Sequence, residues 1–133
     1  MLLTLGFILS ANAQKSNSKE IPDNDTTIFK WDECDMPAQS PGDINWFYNY
    51  IKDSTRYPLA AREESVQGRV LLSFIIEKGG SISHIKVVKG VRDDIDKEAI
   101  RLLDHSLKWK PAMKNGRPVR QSFIVPIRFS LSG

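Results

Sequence analysis

The fold is decided by residues 66–82, which read VQGRVLLSFIIEKGGSI. After the first glycine, apolar side chains recur at every second position, which is the period of a strand with one face turned to a core. Leu71 and Ile75, on the other face, are apolar as well, so we expect both faces to be at least partly covered. Lys78-Gly79-Gly80 then forms a tight turn, because glycine accepts the positive φ that hairpin turns need. The stretch therefore predicts a β-hairpin whose second strand runs from about Ser81 to Lys89.

Helical periods lie on both sides of this hairpin. Residues 44–51 place apolar side chains three and four positions apart, behind an Asp43 that can cap a helix. Tyr57-Pro58 begins a second, short helix, with proline at its tolerated first position. A longer helix begins at Asp93 or Asp94. The expected buried stripe of this longer helix comprises Ile95, Ala99, Leu102, Leu103 and Ser106.

The last strand runs from Gln121 to Leu131, where apolar side chains alternate with the strand period. Pro126 falls in its middle and cannot donate to a ladder, so we expect this strand at a sheet edge. The residues expected to direct their main-chain groups outward, in register with Pro126, are Ser122, Ile124, Arg128 and Ser130. We therefore expect an α+β fold with a three-stranded, antiparallel-type sheet in the order 2-1-3, helices on one face, and one or two short helices before it.

Composition and motifs argue against an enzyme. The chain has 133 residues, enough for one domain, and its net charge of +3 is too small to indicate nucleic-acid binding. His84 and His105 belong to no HExxH, GxSxG or paired-cysteine pattern, so we expect no catalytic, metal-binding or cofactor-binding residues. Cys34 is the single cysteine, and the acids beside it should raise the pKa of its thiol and make it unreactive.

The end of the chain is basic. Residues 108–133 contain no acid and six basic side chains, which are Lys108, Lys110, Lys114, Arg117, Arg120 and Arg128. Two interpretations stay open. These side chains either keep an exposed edge solvated and deter pairing between edges, or they bind an acidic partner.

The beginning of the chain is typical of an export signal. Residues 2–9 are mostly apolar and are followed by Ala11-Asn12-Ala13, a pattern that signal peptidases cut. The apolar stretch is shorter than the roughly 20 residues that span a bilayer. We therefore expect a signal peptide at 1–13, a disordered linker at 14–35 and one domain at 36–133, located in the periplasm. The segment lacks the usual Lys or Arg, so either the true start lies upstream or the segment is an uncleaved interfacial anchor.

Residues 36–131 resemble the C-terminal domain of TonB energy transducers, in the form common in Bacteroidetes-type proteins. Each shared motif is weak alone, but the ordered set is specific. The motifs are Met36-Pro37, Pro41-Gly42, Tyr57-Pro58, Gly68, Gly79-Gly80, Val87-Val88, Leu107-Lys108-Trp109-Lys110-Pro111-Ala112, Asn115-Gly116-Arg117-Pro118-Val119 and Phe123-Ile124-Val125-Pro126-Ile127-Arg128-Phe129. We expect neither the transmembrane anchor nor the Pro-rich spacer that such transducers carry.

The resemblance implies a binding function rather than a reaction. In this family the last strand pairs with a short receptor segment, the TonB box, by strand addition. The implied partner-binding residues are Ser122, Phe123, Ile124, Val125, Pro126, Ile127, Arg128, Phe129 and Ser130 in the strand, with Tyr57, Pro58 and Ser54 beside it. Ser54 stands where enteric TonB proteins carry a Gln that helps to receive the box, so this sequence departs from the family there. Trp109 is expected to pack beneath the sheet.

The implied partners are TonB-dependent outer-membrane receptors, in association with energy-coupled transmembrane transport. An anchored TonB, a motor complex of the ExbB–ExbD type and a second copy of the chain are further candidates. The alternative function is an envelope- or peptidoglycan-binding structural module that uses the basic C-terminal residues. Binding by such a module would weaken strongly with added salt, because exposed charges are screened.

Overall fold

The structure, a computed structural model, describes residues 26–132. The expected signal peptide and residues 14–25 of the expected linker lie outside this range. The strands are β1 (Ile28–Phe29), β2 (Gly68–Ile76), β3 (Ile82–Lys89), β4 (Ala112–Lys114) and β5 (Arg117–Phe129). The helices are α1 (Ile44–Ser54), α2 (Leu59–Glu63) and α3 (Asp93–Asp104), with a 3₁₀ helix at Trp31–Glu33. No helix within the described residues has the length and apolar character needed to cross a membrane.

The strands form a five-stranded mixed sheet in which β3, β2 and β5 lie side by side and β1 follows beyond β5. β2 is antiparallel to both of its neighbours, and nine residue pairs join it to β5. β1 is parallel to β5, whereas β4 is antiparallel to the first residues of β5. The α+β class is confirmed. The expected three-stranded, antiparallel-type sheet is wrong, because the order 2-1-3 describes only the β3–β2–β5 part and omits β1 and β4.

Residues 28–33 were expected to belong to a disordered linker, and that expectation is wrong for them. Ile28 and Phe29 pair with Arg120 and Gln121 of β5, and the 3₁₀ helix follows directly. Phe29 also packs against the core. A two-residue strand has no sequence period of its own and forms only where a tertiary partner is present, which is why the pattern did not reveal it.

One face of the sheet carries the helices and the core. Alternate residues of β2 and of β5 are buried on this face together with residues of α1 and α3, so the two-residue period is confirmed. Trp109 lies among them with 3% of its surface exposed. Its ring is edge-on to the rings of Phe47, Phe74 and Phe123, with centroids 5.2, 5.4 and 5.3 Å away. As expected, the tryptophan therefore packs beneath the sheet and contacts both β2 and β5.

The β2–β3 hairpin turns at Gly79 and Gly80. Gly80 has a φ of +90°, and its N–H donates to the carbonyl of Glu77 at 2.9 Å. Its own carbonyl accepts from the N–H of Trp109 at 2.9 Å, which ties the turn to the core. A Cβ at Gly80 would lie 2.2 Å from the carbonyl oxygen of Trp109, whereas a Cβ at Gly79 would meet nothing within 4 Å.

Gly80→Ala is expected to lower the free energy of unfolding by more than about 1 kcal/mol, because it imposes a strained φ and a clash with a main-chain atom. Gly79→Ala is the matched control and should stay within about 0.5 kcal/mol of the wild type. Urea unfolding followed by tryptophan fluorescence measures both. Equal losses in the two variants would contradict the special role of Gly80.

Candidate functional site

β5 has one paired edge and one open edge. β2 occupies the inner edge from Gln121 to Phe129. β4 pairs with β5 only as far as Val119, and β1 pairs with β5 only as far as Gln121. From Ser122 onward, β2 is the only strand of residues 26–132 that pairs with β5, so the other edge of β5 is open there. The expectation of a complete edge strand thus needs correction, because β1 covers its start, but the open part can accept another strand.

Pro126 indicates which main-chain groups face the open edge. It pairs with Leu71 in the middle of the β2–β5 ladder. Residues of an antiparallel ladder alternate between facing the partner strand and facing away from it. A proline has no N–H, so it fits a position that faces away. By the same period, the N–H groups of Ile124 and Arg128 point to the open edge.

A pocket of about 740 Å³ lies at the start of the open edge. It is lined by Lys30, Trp31, Asp32, Pro37, Gln121, Ser122, Phe123 and Ile124. Trp31 and Ile124 are 66% and 58% exposed, so they offer apolar surface to a partner. We call this the Trp31 pocket. Sequence reasoning missed it, and its only signal was an aromatic side chain beside the acids of residues 32–35.

Gln121 holds the segment that carries Trp31 against β5. Its side chain is fully buried, and its Oε1 accepts a hydrogen bond from the N–H of Ala38 at 2.7 Å. Its Nε2 donates to the carbonyl of Ser122 at 3.2 Å. The adjacent Arg120 forms an ion pair with Glu77 at 2.8 Å. Because buried polar groups are costly to leave unpaired, the bond between Gln121 and Ala38 fixes the position of the segment relative to the edge.

A second pocket, of about 650 Å³, lies beside the far end of β5. It is lined by Tyr48, Ile51, Lys52, Thr55, Tyr57, Arg69, Pro126, Ile127, Arg128, Phe129, Ser130 and Ser132. The ring of Tyr57 meets that of Phe129 edge-on at 5.8 Å, and its hydroxyl donates to the carbonyl of Val66. The guanidinium of Arg62 lies 5.2 Å from the centroid of the Tyr57 ring. We call this the Tyr57 pocket, and its tyrosine is held on three sides.

The structure brings Tyr57 to the strand edge but does not bring Ser54 or Pro58 there. Pro58 is the residue before α2, and Ser54 is the last residue of α1. The carbonyl of Ser54 accepts a hydrogen bond from Nη2 of Arg101 at 2.9 Å. Neither residue is among those that line the Trp31 and Tyr57 pockets. Their part in partner binding stays a prediction, as does that of the strand itself.

A buried carboxylate positions the residues before Tyr57. Glu98 of α3 accepts hydrogen bonds from Nε and Nη2 of Arg101, both at 2.8 Å, and from the N–H of Arg56 at 2.6 Å. Burial acts to raise the pKa of Glu98. The hydrogen bonds from Arg101 and Arg56 together outweigh it and hold that pKa below its usual range. The turn between α1 and α2 is thus fixed to α3.

The other residues considered from the sequence have ordinary structural partners. Nδ1 of His84 lies 3.0 Å from Oγ of Ser83, and Nδ1 of His105 lies 2.9 Å from the carbonyl oxygen of Arg101. No group of three or more metal-binding side chains occurs in the part of the chain that the structure describes. Burial, more than the neighbouring acids, raises the pKa of the Cys34 thiol.

At least two of the six basic C-terminal side chains are used inside the domain. Nζ of Lys114 donates to the carbonyl of Glu33 at 2.7 Å, and Arg120 is paired with Glu77. The basic residues 108–128 therefore do not act as one free cationic surface. This weakens the interpretation that they serve envelope or peptidoglycan binding.

The fold is an α+β domain in which one edge of β5, from Ser122 onward, pairs with no strand of residues 26–132. The family model described as Gram-negative bacterial TonB protein C-terminal matches residues 53–131, and the chain belongs to this family. The family is generally linked to energy-coupled outer-membrane transport, and its C-terminal domains are non-enzymatic. The resemblance to the TonB C-terminal family is therefore confirmed.

Curated relatives share this part of the chain. Protein TonB of Xanthomonas campestris pv. campestris is 32% identical over 80 residues, which cover 58% of this chain and 34% of the relative. Protein TonB of Helicobacter pylori is 40% identical over 62 residues, which cover 44% of this chain and 22% of the relative. The chain thus spans about a third or less of the length of these relatives.

Two NMR solution structures of the C-terminal domain of Helicobacter pylori TonB have a similar fold. One is 30% identical, with a TM-score of 0.54, and covers 70% of this chain and 88% of the solved one. The other is 29% identical, with a TM-score of 0.52, and covers 68% of this chain and 95% of the solved one. The similarity supports the α+β architecture with its curled mixed sheet and helices.

Glu98→Gln is expected to lower the free energy of unfolding at pH 7 by about 1–3 kcal/mol, because the charged acceptor of three hydrogen bonds is lost. The pKa of Glu98 is lower in the folded chain than in the unfolded one. Its contribution is therefore complete above the unfolded-state pKa of about 4.3 and is lost as the pH falls through the folded-state pKa. The difference between wild type and variant should thus shrink from pH 7 toward pH 3.

Urea unfolding at several pH values measures this difference. Glu63→Gln is the control, since Glu63 is exposed on α2 and no described residue pairs with its side chain. It should change stability by less than about 0.5 kcal/mol at every pH. A loss in Glu98→Gln that is the same at pH 7 and pH 3 would contradict the role of the ionised carboxylate.

Proposed function

We propose that this domain binds an extended segment of an outer-membrane receptor by strand addition to the open edge of β5. The edge from Ser122 onward, which pairs with no strand in the described part of the chain, is the observation that carries the proposal. Strand addition needs a row of free main-chain N–H and C=O groups, which give affinity without requiring one particular sequence. Membership of the TonB C-terminal family supports a receptor segment as the added strand.

The site would span residues 122–130. At about 3.3 Å per residue, this length accommodates a segment of roughly nine residues. The Trp31 pocket lies at one end and the Tyr57 pocket at the other, so side chains of the added strand have a place to pack at both ends. Main-chain bonds would supply affinity, and the two pockets would supply selectivity.

Energy coupling requires more than this domain. A strand can be pulled only if the opposite end of the pulling protein is held, so we propose that an anchored TonB or a motor complex of the ExbB–ExbD type provides that hold. The location would then be the periplasm. The open edge can also pair with a second copy of the chain. In that case the molecular mass of the protein in solution would rise with protein concentration, whereas binding of a receptor segment alone would not require this.

Ile124→Pro is expected to weaken binding of TonB-box peptides at least tenfold, because it removes an N–H that faces the open edge. Ile124→Ala is the matched control, since it loses the same side chain but keeps the N–H, and should bind within about threefold of the wild type. NMR titration of the full chain, with a pool of peptides from receptors of the same organism, measures both. Equal losses in both variants would show that the side chain, not the main chain, carries the binding.

A change in the peptide tests the same point without any risk to folding. N-methylation of alternate peptide residues removes either the donors that face β5 or those that face away from it. One of the two methylation patterns should abolish binding and the other should leave it almost unchanged. Tolerance of both patterns would contradict strand addition.

A further inference from the structure

Arg69 and Arg128 form an unpaired cationic site at the far end of β5. They are direct cross-strand partners in the β2–β5 ladder, and both are exposed. Neither has an ion pair or a side-chain hydrogen bond within residues 26–132. Like charges directly opposite each other destabilise a sheet. A local cost with no compensating acid is typical of a functional position.

The surroundings of this pair are cationic as well. The Tyr57 pocket adds Lys52 to the two arginines, and none of the described residues that line it carries a carboxylate. A smaller adjoining pocket of about 440 Å³, formed by residues 67–69 and 128–130, also has no acid in its lining. The sequences of β2, β3 and β5 contain neither Asp nor Glu. A cleft with charges of one sign concentrates ligands of the opposite sign.

We propose that Arg69, Arg128 and Lys52 bind a carboxylate side chain of the strand that is added to β5. This inference rests on the proposed function, because residues 126–130 belong both to the open edge and to the Tyr57 pocket. Arginine suits the role, since its planar group can donate two parallel hydrogen bonds to one carboxylate. The partner segment would therefore carry an acidic residue at the position beside Arg128.

The same site would set the direction of the added strand. The Trp31 pocket offers apolar surface beside Ser122, about six residues or roughly 20 Å from Arg128 along the strand. The two ends of the open edge therefore differ in charge. A segment with an acid at one end and an apolar residue at the other would bind in one direction and not in the reverse one.

The test uses the TonB-box peptide that binds the full chain most tightly, with every acid replaced by its amide. A single Glu is then placed at one end or at the other end of this peptide. We expect one of the two Glu peptides to bind about two- to fivefold more tightly than the all-amide peptide at low salt. The gain should shrink as salt is added, since exposed charge pairs are screened. The second Glu peptide should show no gain.

The variants Arg69→Gln and Arg128→Gln should remove most of this gain, measured in each variant as the ratio of its affinities for the Glu peptide and for the all-amide peptide. Both are expected to fold, because the two arginines oppose each other and no described acid depends on them. Lys86→Gln is the control. Lys86 is exposed, and it lies opposite Ser73 rather than beside the arginine pair, so the gain should persist in this variant.

The outcomes distinguish a failure of the carboxylate site from a failure of the proposed function. If the all-amide peptide binds but neither Glu peptide binds more tightly, the carboxylate site is wrong and the proposed function stands. If no receptor peptide binds in any form, the proposed function fails. Binding to phosphatidylglycerol vesicles that requires Arg69 and Arg128, without any gain from Glu, would assign the site to a lipid surface and overturn the inference.

Discussion

Nine residue pairs join one edge of β5 to β2, and from Ser122 onward no strand of residues 26–132 occupies the opposite edge. Pro126 is compatible with this arrangement. A residue that faces away from β2 donates no hydrogen bond to the β2–β5 ladder, so the missing N–H of proline costs the ladder nothing. An open edge usually invites uncontrolled pairing between molecules. Here β1 covers the start of the edge, and Arg128, which has no ion pair within residues 26–132, places a positive charge at its far end. Only a short and defined stretch is therefore available.

The helical face of the sheet keeps this stretch in one conformation. Phe123 packs edge-on against Trp109 near the start of the open edge, and Phe129 packs against Tyr57 at its end. Gln121, with its buried amide, ties the preceding segment to the same strand. A binding edge that is already extended and rigid loses little conformational freedom when a partner is added. The core therefore contributes to partner affinity by holding the edge in its binding conformation, in addition to the surface that Ile127 and Phe129 give to the Tyr57 pocket.

Elements long enough to repeat their period several times could be predicted from the sequence, and shorter elements could not. The alternation in β2 and in β5 and the turn at Gly80 are local signals, and the structure confirms them. β1 and the 3₁₀ helix were missed because elements of two or three residues are too short to show a period. Both form only against β5. The site was partly predictable: Pro126 indicated the open edge. The placement of Trp31 and the meeting of Arg69 with Arg128 depend on tertiary contacts and strand register, which a linear pattern does not contain.

Amide hydrogen exchange of β5, without and with a bound receptor peptide, shows whether the edge from Ser122 onward is open in the free chain and receives the peptide. In the free chain, the amides of Val125 and Ile127 should exchange slowly because they face β2, whereas those of Ile124 and Arg128 should exchange fast. Peptide binding should slow Ile124 and Arg128 selectively. If these two amides are already protected in the free chain, or remain fast while the peptide is bound, the open edge of β5 is not the binding site.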